Sequence, residues 1–186
     1  MFVITSTNVT ISKLILKGPQ ATSFVDIERA VQAVGTVSSY LTNIEIVDCE
    51  IYTWGAYGVY LRFCDNFTVE GNVIRDIGHI GVAGLSSGNG KIIGNRISNI
   101  TPGSAGNAYG ITMARITTGD ITTDPRSHDV LISKNIVSDI PIWSGLDTHG
   151  GERISFTGNI VTNCYRGIMV TSSADSSGDA SFAPLD

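Results

Sequence analysis

Asp147 and His149 stand two residues apart in the stretch GLDTHGG, Gly145 to Gly151. If that stretch is a strand, alternate side chains share one face, and the carboxylate and the imidazole project together. An imidazole ordinarily titrates near neutrality, so His149 suits a proton-abstracting base. Asp147 suits the group that orients it or bonds a substrate hydroxyl. Gly150 and Gly151 put no side chains beside the pair, which lets a ring approach closely. The competing reading is an ordinary solvated strand edge with one histidine.

Charge that develops in such a reaction needs cations or donors nearby. Arg115 opens and Arg126 closes the polar stretch ARITTGDITTDPRS, Ala114 to Ser127, and Arg166 leads a later strand. Each competes with a reading as a solvated surface charge. Asp120, Asp124 and Asp129 lie in or near the same stretch, so hydrolysis by paired carboxylates stays open. Three scattered cysteines, Cys49, Cys64 and Cys164, show no CxxC spacing and read as small buried hydrophobes. Neither a metal site nor a cofactor is implied.

The elements that must hold these residues come from a repeat. NFTVEGNVIRDI, NGKIIGNRISNI, HDVLISKNIVSDI and ERISFTGNIVTNC superimpose on Asn72, Asn95, Asn135 and Asn159. Cys49 and Leu14 occupy that position in two further copies. Three intervals are near 23 residues, and two longer ones of 35 and 40 carry insertions. Each copy continues through a Gly into a short apolar strand: GVYLR, GVAGL, GITMA, GLDTH and GIMVT. No copy can bury its apolar face alone, so neighbours must stack. Three short strands per unit suit one rung of a parallel β-helix, with Ile74, Ile97, Ile136 and Ile160 expected in one buried ladder. The asparagines read as structural, bonding one another at the bends and tolerating a left-handed backbone.

Aligned on their glycines, the strands put Val59, Val82, Ile111, Leu146 and Ile168 inward. Tyr60, Ala83, Thr112, Asp147 and Met169 then face outward, as do Arg62, Leu85, Ala114, His149 and Thr171. Asp147 and His149 are the only acid and imidazole in these columns, beside an expected open shelf. Tyr60 joins the candidate substrate-binding residues, and the stretch after Ala114 is expected to overhang His149. Insertions in solenoids often lie on the binding face.

The repeat resembles right-handed parallel β-helix proteins of the pectate-lyase-like kind, found among secreted polysaccharide lyases, hydrolases and epimerases and among phage tailspikes. GLDTH is also similar to the Gly-Phe-Asp-Pro-His motif of alginate (mannuronan) C5-epimerases. That resemblance assigns Asp147 and His149 to the removal of a uronate C5 proton. Leu146 and Thr148 depart from the motif, and Ser144 stands where the family has a proton-transferring Tyr; Tyr109, before Gly110 on the adjacent rung, is the candidate replacement. β-Elimination would make a lyase, and reprotonation from the opposite face an epimerase. A glycoside hydrolase and a non-catalytic glycan-binding or structural module remain alternatives.

The expected architecture is therefore all-β: a right-handed parallel β-helix of about six rungs, one domain over 1–186. Helical spacing of Phe24, Ile27, Val31 and Val34 predicts a short helix near residues 24–34, the alternative being an irregular rung. No polar cap is found at either end, which suggests a piece of a longer chain and self-association, or a homo-trimer, through the rung ends. The expected partner is an acidic polysaccharide. A net charge of −5 argues against nucleic acid, and no apolar run is long enough to span a membrane. No signal peptide is seen; the resemblance alone suggests an extracellular, cell-surface or virion-tail location.

Overall fold

The computed structural model describes residues 1–19, 27–104, 106–115 and 121–171. Alternating apolar residues at the repeat spacing form parallel strands stacked on three faces around one core, two of the faces joined into one sheet through the long strands Ile136–His149 and Ile160–Thr171. The first face carries β1 (Phe2–Ile4), β4 (Arg29–Val34), β7 (Tyr57–Arg62), β10 (Ile80–Leu85), β13 (Tyr109–Ala114) and the C-terminal parts of β15 (Ile136–His149) and β17 (Ile160–Thr171). The second carries β2 (Val9–Ser12), β5 (Leu41–Val47), β8 (Cys64–Glu70), β11 (Gly88–Ile93), β14 (His128–Ser133) and β16 (Glu152–Thr157). The third carries β3 (Ile15–Lys17), β6 (Glu50–Trp54), β9 (Val73–Ile77), β12 (Arg96–Ile100) and the N-terminal parts of β15 and β17. Every sheet pairing between strands is parallel, so each circuit of the chain adds one strand to each face.

The expected helix near 24–34 is not formed over the described part of that segment: Arg29–Val34 is the strand β4, paired in register with β7. Val31 aligns with Val59 and is fully buried, so stacking against the next rung overrides the local helical spacing. Phe24 lies outside the described residues.

Inside, the first-face column Val31, Val59, Val82, Ile111 and Leu146 is sealed. The third-face column needs a correction. It runs Ile51, Ile74, Ile97, Val137 and Val161, whereas Ile136 and Ile160 are 36% and 55% exposed. The inward position is the second after the Asn in every copy, and the pleat turns the first one outward.

The asparagine column lies inside the bend. Asn95 Oδ1 accepts from the Asn72 backbone N–H at 3.0 Å and from Asn72 Nδ2 at 2.9 Å. Its own Nδ2 donates to Val69 O and Asn135 Oδ1, both at 2.9 Å. Asn72, Asn135 and Asn159 repeat the pattern, which starts at the Cys49 N–H. The left-handed backbone sits one residue earlier, at Asp48, Gly71, Gly94, Lys134 and Gly158. The repeated Gly before each first-face strand answers a different need. A Cβ on Gly110 would lie 2.4 Å from Val137 Cγ1 and 2.5 Å from Gly145 O, so the rungs can stack only without one.

Candidate functional site

The first face is the one that carries chemistry, because its outward columns are set by this register. Thr112, Asp147 and Met169 align across β13, β15 and β17, and Ala114 aligns with His149. Asp147 is not on an open shelf, as its alternation suggested: it is fully buried beneath the outer side chains. Its Oδ2 accepts from Thr112 Oγ1 and from His149 Nδ1, each at 2.6 Å. Among the described residues no group hydrogen-bonds Oδ1, an unusual state for a buried carboxylate oxygen. Because the carboxylate can only accept, Nδ1 of His149 carries the hydrogen, and the neutral ring keeps its lone pair on Nε2. The His149 side chain is 26% exposed.

Tyr109 occupies the column of Ser144 one strand away, and its ring stands edge-on to His149 at 5.8 Å between centroids. Burial first, and then the Asp147 carboxylate, push its phenol above the usual tyrosine range, against the opposing effect of the Asn107 amide donor. The phenol therefore stays protonated across neutral pH. Asn107 Nδ2 donates to Tyr109 Oη at 3.1 Å, and Asn107 Oδ1 accepts from His79 Nε2 at 3.0 Å.

These groups line a groove of about 420 Å³ formed by Tyr57, His79, Asn107, Tyr109, Thr112, Arg115 and His149, with Ile80, Leu85 and Ala114 as its apolar wall. Asp147, His149 and Tyr109 are thus brought together, with Arg115 beside them. Arg115 Nε donates to Asp124 O at 2.9 Å. Arg126 reaches across to Gly150 O at 3.0 Å, so the C-terminal part of the insertion closes against the turn after His149. Burial and the nearby Arg115 charge lower the Arg126 pKa. Arg166 and Tyr60 are outside this groove. Arg166 packs over the Trp143 ring at 4.5 Å, and Tyr60 lies under the Arg29 guanidinium at 4.1 Å.

The carboxylates kept open for hydrolysis are otherwise engaged where they are described. Asp124 is buried and ion-paired with Arg62 at 3.2 Å. Asp129 belongs to the second face, where Arg153 and His128 hold its carboxyl well below the usual range. Asp120 lies outside the described residues. His79, Asn107 and Thr112 were missed as site residues from the sequence. Carrying the Gly-led alignment two or three residues upstream would have placed His79 and Asn107 at the groove's edge.

Among the described residues no helix is long and apolar enough to cross a membrane. A comparison with curated proteins finds no match. Among solved structures, the chain is similar to the A-modules of two Azotobacter vinelandii mannuronan C-5 epimerases. For AlgE6 the TM-score is 0.57 at 11% identity, over 92% of this chain and 55% of that one. For AlgE4 it is 0.54 at 14% identity, over 81% and 49%. Tailspike protein 2 of bacteriophage CBA120 gives 0.44 at 14% identity, over 85% and 30%. This chain spans about half the length of the two epimerase modules, and at these identities the likeness is one of fold. The family described as right handed beta helix region matches residues 2–180, in keeping with parallel strands stacked on three faces around one core, and the chain belongs to it.

Proposed function

We propose that this chain acts on an acidic polysaccharide by removing the C5 proton of a uronate residue. The observation that carries the reading is the 2.6 Å hydrogen bond from His149 Nδ1 to the buried Asp147 carboxylate, beside the protonated Tyr109 phenol in one groove. The described fold likeness to mannuronan C-5 epimerase modules points to the same substrate class. His149 Nε2 takes the proton as the C5–H bond breaks, and Asp147 stabilises the imidazolium that forms. Negative charge moves onto the uronate carboxylate, where the Arg115 guanidinium offsets it. Tyr109 then supplies a proton. Delivered to C5 from the opposite face, it gives the epimer. Delivered to the glycosidic oxygen as the C4–O bond breaks, it gives a C4=C5 double bond and a shortened chain. A polymeric substrate of this kind places the protein in the extracellular space, at a cell surface or on a virion tail.

The test is a screen of alginate, pectate, glucuronan and capsular polysaccharides, read by ultraviolet absorbance for unsaturated uronate and by NMR for C5 inversion. His149→Ala is expected to lower turnover on the responding polymer by about 10²–10⁴-fold. Absence of product from every polymer would leave a glycan-binding or structural module as the better reading, whereas product formed at an unchanged rate by His149→Ala would remove His149 as the base. New reducing ends without unsaturation would indicate hydrolysis instead.

A further inference from the structure

Beside the groove, on the same strand that carries Asp147 and His149, β15 departs from its register with β17. Ile140 aligns with Cys164 and Ser144 with Arg166, so Pro141, Ile142 and Trp143 stand against Tyr165 alone. Trp143 sits within this bulge at φ +91°, a backbone region that bulky side chains rarely occupy and that surrounding structure must hold. Bulges of this sort commonly re-aim a side chain beside a functional site. Here the result is a second concavity, about 320 Å³, lined by Gly106, Pro141, Ile142, Trp143, Tyr165 and Arg166. That volume is at the small end for a ligand site.

Its chemistry is that of a surface for an anionic sugar. The Arg166 guanidinium lies over the rings of Trp143 at 4.5 Å and Tyr165 at 5.4 Å, and its Nη1 contacts Met169 Sδ at 3.2 Å. Tyr165 is 68% exposed. Trp143 precedes Ser144, the strand neighbour of Tyr109 in the groove, so the two concavities lie side by side. Aromatic rings follow one another along the axis, Tyr57 to His79 at 5.4 Å and His79 to Tyr109 at 6.3 Å, with Trp143 under Arg166 on the next two strands. By register Arg166 is two strands beyond Tyr109, about 10 Å at the usual strand spacing.

We infer that the Pro141–Trp143 bulge, Tyr165 and Arg166 form a separate uronate-binding subsite, which holds a sugar of the same glycan chain away from the reacting one. The aromatic rings take the apolar face of the pyranose, and Arg166 takes its carboxylate. The inference rests on the proposed uronate specificity, but its test does not require turnover. Trp143 fluorescence is titrated with hexamers of mannuronate and of galacturonate, with the neutral cellohexaose alongside. At least one uronate hexamer should change the signal saturably. The change should vanish in Trp143→Phe, which leaves Trp54 on the third face, and persist in His149→Ala. Arg166→Gln and Tyr165→Ala, checked for an unchanged melting temperature, should each weaken binding about tenfold. Equal affinity in both variants, equal binding of cellohexaose, or no response to either uronate overturns the subsite, whatever the polymer screen shows. Binding through Trp143 together with no turnover on any polymer overturns the reaction and leaves the subsite standing.

Discussion

At the scale of residues, Asp147 illustrates what a buried carboxylate does for a partly exposed histidine. Its Oδ2 gathers the Thr112 hydroxyl and the His149 Nδ1–H at 2.6 Å each, which fixes the ring and its tautomer. Asp147→Asn can offer its amide N–H to Nδ1 and so favour the wrong tautomer. The expected result is a fall in kcat of about 10²-fold with KM little changed, whereas a lost substrate contact would raise KM. In the proposed reaction Tyr109→Phe should also lower kcat, since it removes the phenol that returns the proton, and the raised pKa keeps that phenol protonated at neutral pH. Cys64 offers a separate check on burial. Its thiol is sealed in the core and pushed up to about 12 from the ordinary 9.0. The folded state then holds the proton more tightly than the unfolded chain. Stability from this group is complete below pH 9 and is lost as pH rises toward 12, with a slope of at most about 1.4 kcal/mol per pH unit. Urea melts across that range, compared with Cys64→Ala, measure it: the variant should lose this part of the alkaline slope.

At the scale of elements, the rung register decides which residues matter. Val137 is sealed in the third-face ladder while its neighbour Ile136 is 36% exposed. Val137→Asp should therefore lower stability by several kcal/mol or prevent folding, and Ile136→Asp should cost less than about 1 kcal/mol. Equal effects in thermal melts would refute the register. Asn95→Ala removes the acceptor for Asn72 and the donor to Val69 O inside the bend, each worth on the order of 1–3 kcal/mol when left unpaired in the core. Asn43→Gly, in the exposed asparagine row bonded to Asn8 and at φ +57°, keeps the left-handed backbone and should cost less than about 1 kcal/mol. Much of this was legible because a period of two on a strand and a period near 23 along the chain are both written in the residues. Columns through Val59, Val82 and Ile111, and the convergence of Asp147 and His149, follow from those two periods alone. The error at Ile136 arose where two adjacent β-branched residues, Ile136 and Val137, left the pleat phase undecided by composition. β4 was misread because Phe24, Ile27, Val31 and Val34 fit a helical spacing, while its burial comes from a partner strand 28 residues later. His79 and Asn107 were hidden because they precede their strands, in positions where no alternation applies.

At the scale of the whole molecule, the solenoid's two ends expose what its middle buries. Leu146 is fully buried, yet Ile168, the next residue in the same inward column, is 53% exposed, and Val170 beside it is 58% exposed. Among the described residues no strand pairs with the far side of β17. At the opposite end Phe2, Val3 and Ile15 are exposed on β1 and β3, which are likewise paired on one side only. Unpaired edges and half-covered apolar columns favour stacking, either on further rungs of a longer chain or on another copy. The 186-residue chain is therefore expected to associate reversibly as concentration rises, with a sedimentation coefficient that climbs across the micromolar range. Ile168→Lys with Val170→Lys puts two cations in the terminal inward columns, where a stacked partner would have to desolvate them. The double variant should sediment as a smaller species at the same concentration and keep the parent's secondary structure by circular dichroism. A discrete trimer in the parent would point to a side-by-side assembly, and the Lys pair would then leave it intact. A parent that stays monomeric at high concentration and melts at high temperature would show that these ends are stable uncovered, and the end-stacking argument would fail.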